Sequence, residues 1–204
     1  PGCHADTQTT EAGLDYARES DITCRCLTNH RREEEGKSEA KWHDGQRFSC
    51  LSSVLPLPQE KDIRFLFGAE IDMDYNFLLG VSPERYDVFD FMIISTTHLH
   101  LAGNTVRTKI TTPQEAAEHW VKRFKELLKK DLPWHKTGIA HLTCGHIFKG
   151  RTPEVIPLID DETLYELFSD ASKKGMGIEL NTKTIFSSEE EKSILLRPYY
   201  IAKD

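Results

Sequence analysis

No apolar run in this sequence approaches the roughly 18 residues of a membrane-spanning helix, and no leader with a basic end and an apolar middle opens it. An excess of basic charge is also missing. Lysine and arginine number 26 against 33 aspartates and glutamates, for a formal net charge of −7 and a pI near 5.7. A protein that grips a phosphate backbone needs a basic face, so this balance argues against nucleic acid as a partner. Cysteine is sparse and unpatterned. The five thiols (Cys3, Cys24, Cys26, Cys50 and Cys144) are odd in number and contain no CxxC pair, which fits reduced cysteines in a cytoplasmic protein better than a disulfide framework. There is no internal repeat. The chain begins at Pro1 and not at Met, as a trimmed or partial chain would. At 204 residues it can bury one sizeable core, so a single domain over 1–204 is expected.

What is present alternates. Short apolar segments read as strands: "DITCRCL" (21–27), with Ile22, Cys24 and Cys26 on one face, "DIRFLFGAEIDMDY" (62–75), "VFDFMIIST" (88–96), "TGIAHLTC" (137–144) and "GIELN" (177–181). Between them lie two well-signalled helices. Thr112-Pro113-Gln114-Glu115 is a capping box with proline at the first helical position. Ala116, Ala117, Trp120, Val121, Phe124, Leu127 and Leu128 follow at helical spacing until Asp131-Leu132-Pro133. A second helix opens near Asp160 or Asp161, buries Leu164, Leu167, Phe168 and Ala171, and ends at Lys173-Lys174-Gly175. The tail "SSEEEKSILLRPYYIAKD" predicts a further helix, capped by Ser187 or Ser188 and interrupted near Pro198. Residues 31–47 read as a solvated loop. Strand and helix in alternation predict an α/β fold with a parallel sheet, whose chemistry sits at the carboxyl ends of the strands.

Those ends carry imidazoles and carboxylates. His30 closes "CRCLTNH", Glu70 closes "FLFGAE", His98 closes "MIISTTH", and His141 falls in "GIAHL". Near the amino terminus "GCHADT" places His4 and Asp6 two residues apart, on one face of a strand. Any one of these reads as an ordinary hydrogen-bonded or surface residue. Together they are the ligand mixture of hydrolytic Zn, Mn or Fe sites. His100 reads as a surface imidazole or as a proton donor beside the site. His146, near enough to His141 to reach the same mouth, reads as a substrate-side loop or structural turn in preference to a ligand. Cys24 and Cys26 read as small apolar packing residues. Arg31, Arg107, Lys149 and Arg197 are candidate phosphate-contacting cations, with solvated surface charge the favoured reading of each.

The order His-x-Asp-Thr ("HADT"), Thr-Asn-His ("TNH"), Gly-x-Glu ("GAE"), Ser-x-x-His ("STTH") and Gly-x-x-His ("GIAH") resembles the PHP (polymerase and histidinol phosphatase) family of metal-dependent phosphoesterases. The resemblance runs from "GCHADT" to "GIELN". It implies a distorted (βα)7 PHP-type barrel, incomplete at the carboxyl end because the family's closing Ser-Asp-Ala-His segment does not follow "RPYYIAKD". It implies two or three divalent ions (Zn, Mn or Fe) held by His4, Asp6, His30, Glu70, His98 and His141. Glu70 and His98 would also serve catalysis. The implied activity is hydrolysis of a small phosphate monoester, histidinol-phosphatase-like, by a metal-bound hydroxide. Glu179, in "GIELN", is expected to be structural. Asp6 stands where the family has histidine, Asn29 where it has aspartate, and Gly2 where an aspartate often begins the first strand. These departures support the alternative of a catalytically inactive PHP-like binding or interaction domain.

Overall fold

The computed structural model describes residues 10–33, 46–48, 55–181 and 188–203. It is an α/β fold in which five strands form one parallel sheet: β1 (Cys24–His30), β2 (Arg64–Asp72), β3 (Phe91–Ser95), β4 (Thr137–Ile139) and β5 (Gly177–Ile178), hydrogen-bonded in that order. Among the described residues four α-helices accompany them: α1 (Thr10–Glu19), α2 (Pro113–Leu128), α3 (Asp161–Lys174) and α4 (Glu189–Lys203). Contacts divide the chain into two compact units. Unit 1 is 1–71 with 80–93, and unit 2 is 72–79 with 94–204. The division passes along β2 after Ile71 and along β3 after Ile93.

In unit 1, β1 and β2 pair in parallel from Cys24 opposite Arg64 to His30 opposite Glu70. The core beside them is aromatic. Phe67 stacks on Phe89 with centroids 5.5 Å apart, and Phe48 tilts against Phe89 at 5.7 Å. The Asp90 carboxylate accepts the Phe67 N–H at 2.8 Å. The helix α1 has no clear apolar stripe in the sequence, and Gly13 sits in its middle. Gly13 is buried because the Arg25 guanidinium lies against it, and Arg25 Nη1 donates to the Gly13 carbonyl at 2.6 Å. A side chain at 13 would displace that cation. Cys24 is exposed, a departure from the packing role read for it; Cys26 is half-buried, and burial, then Asp90 and Cys24, push its thiol up to about 11.

Gly68 in β2 is closely packed. A Cβ there would stand 2.5 Å from Cys26 Sγ and 2.8 Å from the Phe91 carbonyl oxygen. The sulfur can yield, but the backbone oxygen cannot without moving a strand. Gly68→Ala is therefore expected to cost about 1–3 kcal/mol by overpacking, read as a lower urea midpoint at unchanged slope. An unchanged midpoint would show that this close approach does not exist in solution.

In unit 2 the sequence signals act as read. The Thr112 hydroxyl accepts the Glu115 N–H at 3.2 Å, and the Glu115 carboxylate accepts the Thr112 N–H at 3.3 Å, closing the capping box of α2. Trp120 and Phe124 meet edge to face, as do Phe124 and Phe168 across to α3. Asp160 caps α3 by accepting the Thr163 N–H at 2.7 Å, and Gly175 ends it in the left-handed region at φ 77°. Ser188 caps α4, its Oγ accepting the Glu191 N–H at 3.3 Å. The break expected near Pro198 does not occur. Pro198 is buried inside a continuous α4, and the adjoining Arg197 anchors the turn by donating to the Ile156 and Ile159 carbonyls and to Asp161. β4 and β5 pair in parallel, Gly138 opposite Gly177 and Ile139 opposite Ile178. The segment "TGIAHLTC" yields only three strand residues, since the chain leaves the sheet at Ala140 and His141 adopts φ 29°.

Candidate metal centre

In unit 1 the parallel register fixes the first pair. β1 and β2 end side by side, so His30 and Glu70 are partners across the ladder. His30 Nε2 lies 3.6 Å from Glu70 Oε2, and both side chains are largely covered. Arg31 follows directly, its N–H donating to the Glu70 carbonyl at 2.9 Å. It is not the solvated charge its sequence context suggested: Arg31 is buried, with Nη1 donating to the His30 carbonyl at 3.2 Å.

Unit 2 holds a cluster of four imidazoles. β3 ends at Ser95, and three buried residues (Thr96, Thr97 and His98) continue the chain past the sheet. The His98 and His141 rings stack with centroids 4.9 Å apart. His146 meets His98 edge to face at 5.5 Å and stacks on His100 at 4.4 Å. His100 is exposed at the rim; burial, then the neighbouring His98, lowers its pKa below the ordinary imidazole value. His146 lies in a turn, as read, and from there reaches the cluster.

Each central ring is oriented by a second group. Asp72 accepts a hydrogen bond from His98 Nδ1 at 2.8 Å, and both side chains are buried. A carboxylate only accepts, so the His98 proton sits on Nδ1 and Nε2 is the nitrogen it presents to a ligand. Thr97 Oγ1 lies 2.9 Å from His141 Nδ1 and anchors that ring through this nitrogen. The His141 backbone is in a region few non-glycine residues occupy. It is secured there by Glu179, whose carboxylate accepts the His141 N–H at 2.8 Å. Glu179 has the structural role expected of it.

Arg123, on α2, holds the frame. It is 1% exposed, and its guanidinium donates to four backbone carbonyls: Thr96 at 2.7 Å, Asp74 at 3.1 Å, and those of Thr105 and Met73. The Thr105 hydroxyl in turn donates to the His98 carbonyl. Burial pulls the Arg123 pKa down to about 10 against the opposing charges of Asp72 and Asp74. Cys144 joins the cluster from the other side, with Sγ 3.5 Å from Thr97 Oγ1. Burial raises its thiol, but the hydrogen bond and charge of His141, with Thr97 and the His146 backbone, outweigh that and leave it below the ordinary value.

Of the residues read as ligands, the structure brings together His30 with Glu70 in unit 1, and His98 with His141 in unit 2. His4 and Asp6 lie outside the described residues. The donor atoms of His30 and Glu70 lie within 4.8 Å of one another, as do those of His98 and His141. Imidazoles held by carboxylate and hydroxyl partners are donors that suit divalent transition metals. This His/carboxylate set is able to hold a metal ion.

The sequence reading missed Asp72, Arg123 and Cys144. Only Asp72 had a usable signal, since it stands two residues after Glu70 and so on the same face of β2. Among the described residues, no helix is long and apolar enough to cross a membrane. No protein-family model, curated protein or solved structure matches the chain.

Proposed function

We propose that this protein is a metal-dependent hydrolase of small phosphate monoesters, with a distorted (βα)7 barrel and chemistry similar to the PHP family. The observation that carries the reading is the paired orientation of His98 and His141. Two buried-edge imidazoles, each fixed through Nδ1, stand at the carboxyl ends of adjacent strands. A divalent ion, when bound, supplies Lewis acidity and lowers the pKa of water to about 7.

The chain's own residues do the rest. Asp72 keeps the proton on His98 Nδ1, so the ring cannot turn over and lose its donor atom. Glu179 and Thr97 hold His141 against backbone strain. His100, whose pKa is lowered by burial and then by His98, stands at the rim where it is suited to donate a hydrogen bond to a phosphate oxygen. His30 and Glu70 form a second donor pair in unit 1, with Glu70 the carboxylate that the family resemblance makes catalytic.

The test is hydrolysis of p-nitrophenyl phosphate by the full chain loaded with Mn²⁺ or Zn²⁺. Turnover is expected only with metal, is abolished by EDTA, and falls at least 100-fold in His98→Ala with the circular dichroism spectrum retained. Stoichiometric metal without turnover on any phosphate monoester would favour the alternative, a metal-holding interaction domain. Failure to retain metal, or full activity in His98→Ala, removes the basis of the proposal.

A further inference from the structure

We propose that unit 2 carries a separate anion site that takes a phosphate-bearing small molecule. It is a cavity of about 520 Å³ lined chiefly by Tyr75, Phe77, Arg107, His119, Lys122 and Arg123. The proposal rests on none of the donors assigned to the metal centre.

Charge is the first observation. Three cations face this one cavity in a chain whose net charge is −7, and among the described residues no carboxylate lines it. The carboxylates that act on Arg123, Asp72 and Asp74, are not among the lining residues, and His119, whose pKa burial and then Arg123 and Lys122 lower, is not counted with the cations. The Asp74 side chain is itself committed to its own turn, accepting the Asn76 and Leu78 N–H groups at 2.8 Å.

The second observation is how the two exposed cations are held. Arg107 lies over the Tyr75 ring, 4.9 Å from its centroid, and donates through Nη2 to Asn76 Oδ1 at 2.8 Å. Lys122 lies over the Phe77 ring at 5.4 Å. Aromatic faces and an amide position these groups without cancelling their charge. Arg107 keeps donors for bidentate recognition of a phosphate, and Lys122 adds a point charge.

The backbone supplies a third. Phe77 adopts φ 63°, a conformation that costs a non-glycine residue about 1–3 kcal/mol and collects at ligand-binding positions. The turn tolerates it because Asp74 satisfies two amides there and the Tyr75 N–H donates to the Asn104 carbonyl at 2.9 Å. The result sets an aromatic ring beside the cations. The volume lies within the range of about 300–1,000 Å³ typical of small-molecule sites. Phosphate recognition by the cations and a flat organic body against Tyr75 and Phe77 together define the ligand class.

The experiment titrates inorganic phosphate and adenosine monophosphate onto the full chain by calorimetry, in EDTA and at constant ionic strength. Saturable binding of at least one probe is expected without metal, which separates this site from the metal centre. Equal affinity for both would assign recognition to the phosphate group alone, and tighter nucleotide binding to phosphate and ring together. Arg107→Ala and Lys122→Ala should each weaken binding at least tenfold, and Lys122→Glu should abolish it, with melting temperature held as the control for folding. No saturable binding of either probe, or undiminished binding in the Arg107→Ala/Lys122→Ala double variant, overturns the proposal.

Discussion

Arg123→Met is expected to destabilise the protein by about 3–5 kcal/mol, the loss seen when one partner of a buried, charge-assisted network is removed. The methionine fills much of the volume, so the deficit comes from hydrogen bonding. Four carbonyls, of Met73, Asp74, Thr96 and Thr105, receive the guanidinium fork, and each would be left buried without its donor. Every hydrogen bond from a charged donor contributes about 1.5–3 kcal/mol net, while burying the cation costs part of that sum. The lowered pKa of Arg123, caused by burial, shows which way that cost runs.

At about 2–4 °C per kcal/mol for a chain of this size, the melting temperature should fall by at least 6 °C. Arg123→Lys is the discriminating control. It keeps the charge and loses the planar fork, so it should recover only a minor part of the stability. Equal melting temperatures for the wild type and Arg123→Met, measured by calorimetry, would show that the fork is not a structural keystone. A second readout is local. Thr105 connects the fork to the His98 carbonyl, so metal affinity should weaken along with stability.

The helices of unit 2 were legible because their signals are local. A capping box, a proline at the first helical position and a glycine past the last turn are each readable within a few residues. α1 was not, because its buried face is Gly13 and Ala17 and its cover is a cation, Arg25, from another element. Hydrophobic periodicity cannot detect a face packed by a guanidinium. Pro198 misled for a related reason. Its cost to helix α4 is local, but the contacts of Arg197 that anchor that turn come from Ile156, Ile159 and Asp161. At the candidate site, imidazoles at strand ends could be listed from sequence, since strand termini fix where they stand. Their partners could not. Asp72, Thr97 and Glu179 acquire meaning only when ring nitrogens and backbone amides are placed, and Arg123 reads as one polar residue in an otherwise apolar stripe. The barrel inferred from the family resemblance goes beyond the five parallel strands described.

Asp72→Asn isolates the most consequential of those partners. The substitution preserves size and burial, so the fold should persist. Its amide nitrogen, however, can donate to His98 Nδ1 where the carboxylate could only accept. Turned that way, it moves the His98 proton to Nε2 and removes the nitrogen that the ring would present to an ion. Metal affinity is expected to fall by about 10–100-fold, measured as Zn²⁺ competition against a chromophoric chelator. If the protein is the hydrolase proposed above, turnover should fall at least as far. Asp72→Glu keeps an accepting carboxylate at a longer reach and should lose less. That ordering, with Glu retaining more affinity than Asn, distinguishes control of the tautomer from simple filling of the site. If Asn binds Zn²⁺ as tightly as aspartate does, the His98–Asp72 bond has only a packing role, and His98 loses its claim to be a preoriented ligand.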